Sequence, residues 1–102
     1  MSQDADCGVA VTFEMELKEQ AVEPMIKGFA AALEETRAFP GCRSVNAYRS
    51  HEDPNRIILL ENWDSVEAYQ KYIAWRTETG SMDGMVTALA KPSRPQFWSM
   101  VA

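Results

Sequence analysis

At 102 residues, with 46% hydrophobic and 25% charged residues, the chain has the size and composition of one folded domain spanning 1–102. A formal net charge of −5 lacks the basic footprint of a nucleic-acid binder and disfavours anionic membrane surfaces. No apolar run approaches a bilayer span, and Cys7 and Cys42 are too few and too far apart for a zinc motif.

Residues 1–7 are polar and acidic and read as a frayed tail, not a secretory leader. A cytoplasmic location is therefore expected, with both cysteines as free thiols. Val9 to Lys18 alternates strictly, with Val9, Val11, Phe13, Met15 and Leu17 on one side, and predicts a strand. Ala21 to Arg37 predicts a helix whose face carries Val22, Ile26, Phe29, Leu33 and Thr36 or Arg37. Pro24 is tolerable in its first turn, Gly28 suggests close packing against a sheet, and Phe39-Pro40-Gly41 ends it.

Arg43 to Ser50 and Arg56 to Trp63 predict two antiparallel strands around the turn His51-Glu52-Asp53-Pro54-Asn55. Asp64, with Glu67 three residues on, predicts the cap of a second helix, with Val66, Tyr69, Tyr72, Ile73 and Arg76 on one face. Thr79-Gly80 stops it. Ser81 opens a shorter helix with Met82, Met85, Val86 and Leu89, and Gln96 to Val101 predicts a last strand. The turn residues His51, Glu52 and Asp53 do not converge as a metal-ligand set does, so no metal is expected.

This order predicts an α+β, ferredoxin-like βαββαβ fold: a four-stranded antiparallel sheet with both helices on one face and strands one and three central. The starts of strands one and two are expected at opposite ends of the sheet, too far apart for a Cys7–Cys42 disulfide. Ile57 and Leu59 face one side of the third strand, Ile58 and Leu60 the other, so both faces should be covered. The helices cover one. A second copy, sheet against sheet about a two-fold axis, is the expected cover for the other.

Phe39-Pro40-Gly41-Cys42, Glu61-Asn62-Trp63 and Asp64-Ser65-Val66-Glu67-Ala68-Tyr69 resemble the antibiotic biosynthesis monooxygenase (ABM) domain family, the dimeric α+β barrels, over nearly the whole chain. The resemblance implies cofactor-free oxygenation of a phenolic or quinol-type aromatic molecule by O2, in a homodimer. Family members often carry a His where this chain has Tyr72, nine residues after Trp63. A haem-degrading member is expected to use an Asn, a Trp and a His; Trp63 matches, but the His and a first-strand Asn are missing, which disfavours haem chemistry.

On this reading Trp63 is either a pocket wall or a core residue. Tyr72 either hydrogen-bonds a substrate oxygen or is a half-buried phenol with its hydroxyl in water. Glu61 is either a proton acceptor with a raised pKa or the partner of Arg43, Arg49 or Arg76. Asn46 is the fourth catalytic candidate. Tyr69, Tyr48, Phe13, Met15 and Arg76 are substrate-binding candidates, with Arg76 also suited to pairing with an acid. The alternative reading is a non-catalytic homodimer that binds a small aromatic metabolite.

Overall fold

The computed structural model describes residues 8–102; the expected tail at 1–7, including Cys7, lies outside the described residues. The elements are β1 (Val9–Glu16), a single 3-10 turn (Glu19–Ala21), α1 (Val22–Ala38), β2 (Cys42–Arg49), β3 (Arg56–Trp63), α2 (Val66–Glu78), α3 (Asp83–Ala88) and β4 (Gln96–Trp98). They form one antiparallel four-stranded sheet in the order β2-β3-β1-β4. The ferredoxin-like arrangement, with strands one and three central, is thus as the sequence predicts.

The alternation of β1 is fully expressed. Val9, Val11, Phe13, Met15 and the following Leu17 are all buried. The ladder stops at Glu16 because its partner β3 begins at Arg56; Leu17 then bridges Leu89, and Lys18 donates its N–H to Ala88. Two clusters make up the core beneath the helices. Phe13, Met15, Leu17, Val22 and Ile57 form one, with Met25, Phe29, Leu59 and Met85 packed on it. Val9, Val11, Trp63 and Tyr69 form the other, with Phe39, Cys42, Tyr72 and Ile73 around it.

Several local expectations change. The cap of α2 is Ser65, whose hydroxyl accepts from the Ala68 N–H at 3.1 Å, while Asp64 instead accepts from Arg43 Nε at 2.7 Å. Gly28 does not mediate close packing: a Cβ built there meets nothing within 4 Å. Gly41 is the tight glycine, with φ 94° and a virtual Cβ 2.6 Å from Ala68 Cβ. The short third helix begins at Asp83, and its N-cap, Met82, makes no side-chain bond. β4 ends at Trp98, paired with Ala10, short of the expected Val101.

A further correction concerns the sheet ends. Val9 and Cys42 both pair with Trp63, so β1 and β2 run parallel and start at the same end. The expectation that strands one and two start at opposite ends is thus overturned, while the Cys7–Cys42 pairing itself lies outside the described residues.

Both long helices pack on the face that carries Ile57, Leu59, Glu61 and Trp63. The opposite face presents Thr12, Glu14, Asn46, Tyr48, Ile58 and Leu60 as paired rows. On it Ile58 is half-buried, Leu60 is 40% exposed and Tyr48 52% exposed in the single chain. Trp98 belongs to this face too, its indole donating to Thr12 Oγ1 at 2.9 Å.

Candidate active site

The strand-to-helix junction after β3 gathers aromatic rings. Trp63, wholly buried, lies 5.1 Å from the Tyr72 ring and 5.6 Å from Tyr69 between centroids. Phe39 and Trp75 close on Tyr72 from the outer side, and Phe97 meets Tyr69. The helical spacing of Tyr69, Tyr72 and Arg76 puts them on one face of α2, turned to the sheet and to α1.

Beneath these rings, Trp63 Nε1 donates to Glu61 Oε1 at 2.8 Å, a pairing that the two-residue strand period places on one face. Burial raises the Glu61 pKa above the ordinary carboxylate value, against the lowering effect of the indole N–H. Glu61 makes no ion pair with Arg43, Arg49 or Arg76: Arg43 pairs with Asp64, Arg49 with Glu23 and Arg76 with Glu35. Burial, then the Glu61 charge, also raises the Tyr69 phenol and the Cys42 thiol.

On the far side of Tyr72 a cavity of about 640 Å³ opens between α1, α3 and the turn that joins β1 to α1. Its walls are largely apolar: Met25, Phe29, Leu33, Leu59, Met82, Met85 and Ala88, with Lys18 and Gln20 also on its lining. Tyr72, Thr36 and Arg76 form a polar cluster in the lining. Arg76 Nε donates to Tyr72 Oη at 2.9 Å, and Arg76 Nη2 donates to Thr36 Oγ1 at 3.1 Å and to Ala32 O at 2.8 Å. Thr36 Oγ1 and Tyr72 Oη are 2.7 Å apart. Arg76 Nη1 pairs with Glu35 at 2.9 Å, the acidic partner expected for it. An apolar hollow of this size with a few convergent polar groups is the usual form of a small-molecule site.

Of the sequence-derived candidates, Tyr72 and Arg76 line this cavity. Trp63 and Glu61 do not; they form the buried layer behind Tyr72. Tyr69 is core as well. Phe13 and Met15 belong to the cluster on which Met25, Phe29 and Met85 pack, so they support the cavity wall without reaching its surface. Asn46 and Tyr48 are exposed on the opposite sheet face. Sequence reasoning missed Thr36 as a site residue, although the apolar face Val22–Ile26–Phe29–Leu33 ends on that hydroxyl. Among the described residues, no group of three or more His, Cys, Asp or Glu side chains is placed to hold a metal ion, and no helix is long and apolar enough to cross a membrane.

A family model for antibiotic biosynthesis monooxygenase matches residues 8–77, and the chain belongs to that family. The match covers β1 through most of α2 and stops short of α3 and β4. Among solved structures, a conserved protein from Methanosarcina mazei Go1 superposes with TM-score 0.82 at 18% identity, covering 93% of this chain and 94% of that one. An antibiotic biosynthesis monooxygenase superposes with TM-score 0.82 at 17% identity, over 92% and 99% of the two chains. A protein from Mycobacterium tuberculosis does so with TM-score 0.68 at 23% identity, over 92% and 95%. These similarities establish a shared fold. No curated protein matches the sequence.

Proposed function

We propose that this chain is a one-domain, cytoplasmic monooxygenase that oxidises a phenolic or quinol-type aromatic small molecule with O2, without a bound cofactor, as a homodimer paired through the open sheet faces. The observation that carries the reading is the cavity beside α1, with its apolar walls and the Tyr72–Thr36–Arg76 cluster. Its volume suits a fused aromatic ring system, and Met25, Met82 and Met85 tolerate varied ring shapes.

Triplet O2 reacts slowly with closed-shell organic molecules, so the substrate itself must supply electrons. A phenol that loses its proton becomes electron-rich enough to pass one electron to O2. The radical pair joins as a peroxide. Loss of water then leaves a quinone, with one oxygen atom in the product and one in the water. Tyr72 would hold the substrate hydroxyl, the Arg76 guanidinium beside it favours negative charge on that oxygen, and the apolar walls exclude competing water. A cavity water beside the substrate hydroxyl is the proton acceptor consistent with this geometry, because Glu61 and Asn46 do not line the cavity.

The same absence of a carboxylate at the cavity favours the second reading, a non-catalytic homodimer that binds an aromatic metabolite. Oxygen uptake by the purified protein against a panel of quinols and hydroxy-anthrones, without added metal or flavin, separates the two. Uptake is expected. Tight binding of a panel member with no uptake would leave only the binding role. A haem role has little footing, since Trp63, its one matching residue, is sealed in the core; a Soret shift on haem titration would reinstate it.

A further inference from the structure

We propose that the Tyr72 hydroxyl at the polar end of the cavity accepts a hydrogen bond from the ligand and has none to give it, so that the site selects a ring bearing a hydroxyl over the same ring bearing only a carbonyl or ether oxygen, and that Thr36 sets this preference. The inference rests on the cavity being the ligand site and deepens that reading by naming the head group.

The basis is a count of protons. Thr36 Oγ1 carries one, and two acceptors lie near it: Ala32 O at 3.2 Å and Tyr72 Oη at 2.7 Å. Tyr72 Oη also carries one and already accepts from Arg76 Nε. Suppose Thr36 gave its proton to Tyr72. The phenol hydrogen would then face an apolar hollow without a protein partner, and the bond to Ala32 O would be lost. With Thr36 donating back to Ala32 O, one turn earlier on α1, Tyr72 donates to Thr36 and both protons are placed. The second arrangement makes one more bond within the protein, which favours it.

Four of the five Arg76 N–H groups are already bonded within the protein. Nε is committed to Tyr72, Nη2 to Thr36 and Ala32 O, and Nη1 turns to Glu35, an exposed carboxylate outside the cavity lining. What Tyr72 Oη still presents is its second lone pair. A ring hydroxyl donates to it. A quinone oxygen sets lone pair against lone pair. Substrate of the proposed reaction is therefore held more tightly than its product, which favours product release.

The test uses 2-naphthol and 2-methoxynaphthalene, two probes with the same ring of which only the first can donate, with binding measured by calorimetry on the full chain. The naphthol should bind about tenfold tighter, the equivalent of one neutral hydrogen bond. Thr36→Val keeps the shape but frees the Tyr72 proton toward the cavity, so the ratio should fall to about one or invert; Thr36→Ser should keep it. Equal binding of both probes by the unmodified protein would overturn donor selection and leave the cavity as a ligand site. An unchanged ratio in a folded Thr36→Val variant would overturn the role of Thr36. Binding of neither probe would remove the cavity reading, and this inference with it. Should Thr36→Val fail to fold, the ratio in the unmodified protein and in Thr36→Ser decides.

Discussion

Tyr72 stands between two environments, with the Trp63–Glu61 pair behind it and the cavity in front. Replacing it by Phe keeps the ring that packs on Trp63 and removes the oxygen that faces substrate. Turnover in the oxygen-uptake assay should fall by about 100-fold or more, within the range of one positioned polar group, while binding of apolar ring analogues persists. Behind it, Trp63→Phe leaves the buried Glu61 carboxylate without its indole donor and opens space in the core. A loss of about 3 kcal/mol in urea unfolding is expected. Glu61→Gln keeps an acceptor for the indole and removes the buried charge. Because burial raises the folded-state pKa of Glu61 above its ordinary value of 4.5, the folded protein holds that proton more tightly than the unfolded chain. The resulting stabilisation is complete below the unfolded pKa and is lost as pH rises through the raised one. The stability of Glu61→Gln relative to the unmodified protein should thus be level in acid and improve as pH rises through that window, as followed by thermal melts. A flat difference would show that Glu61 is not titrating in a buried setting. That Glu61 and Trp63 share a face was legible in the strand period. That Trp63 is core was not, because its burial depends on how Tyr69 and Tyr72 of α2 close over it.

The elements themselves were readable where periodicity is strict and both neighbours are local. β1, β3 and the turn between β2 and β3 fall within two residues of expectation, the turn being held by Ser50 Oγ, which accepts from the N–H groups of Glu52 and Asp53. The start of α3 was not readable, since no side chain caps it and its partners are distant: Met85 and Leu89 pack on the first core cluster. The two glycines misjudged or underused by sequence make a paired prediction. Gly28 sits mid-helix with open space where a side chain would go, so Gly28→Ala should raise stability by roughly 0.5–1 kcal/mol. Gly41 has a positive φ and no room against Ala68, so Gly41→Ala should cost about 2 kcal/mol or more by displacing α2 from the loop before β2. Equal melting temperatures for the two variants would contradict the packing described for this loop.

At the level of the whole molecule, one sheet face is closed by helices and the other carries Ile58, Leu60, Tyr48 and Trp98, with no helix among the described residues over it. A two-fold partner seated there would bury this strip, so equilibrium sedimentation should give twice the 11.5 kDa chain mass at micromolar concentration. Leu60→Asp places a charge in the middle of the strip and should weaken the pair by on the order of 100-fold, which shifts the mass toward that of one chain. A single-chain mass for the unmodified protein would refute the pairing. The strand order has a consequence of another kind. β1 lies between β3 and β4, so it is synthesised well before both strands that flank it. The β2–β3 hairpin, joined by a short turn, is free to nucleate by itself, whereas Val11 and Met15 stay uncovered until long loops have closed around them. Refolding should accordingly belong to the slower, millisecond-to-second class, with the unpaired β1 ribbon as its vulnerable, aggregation-prone stage.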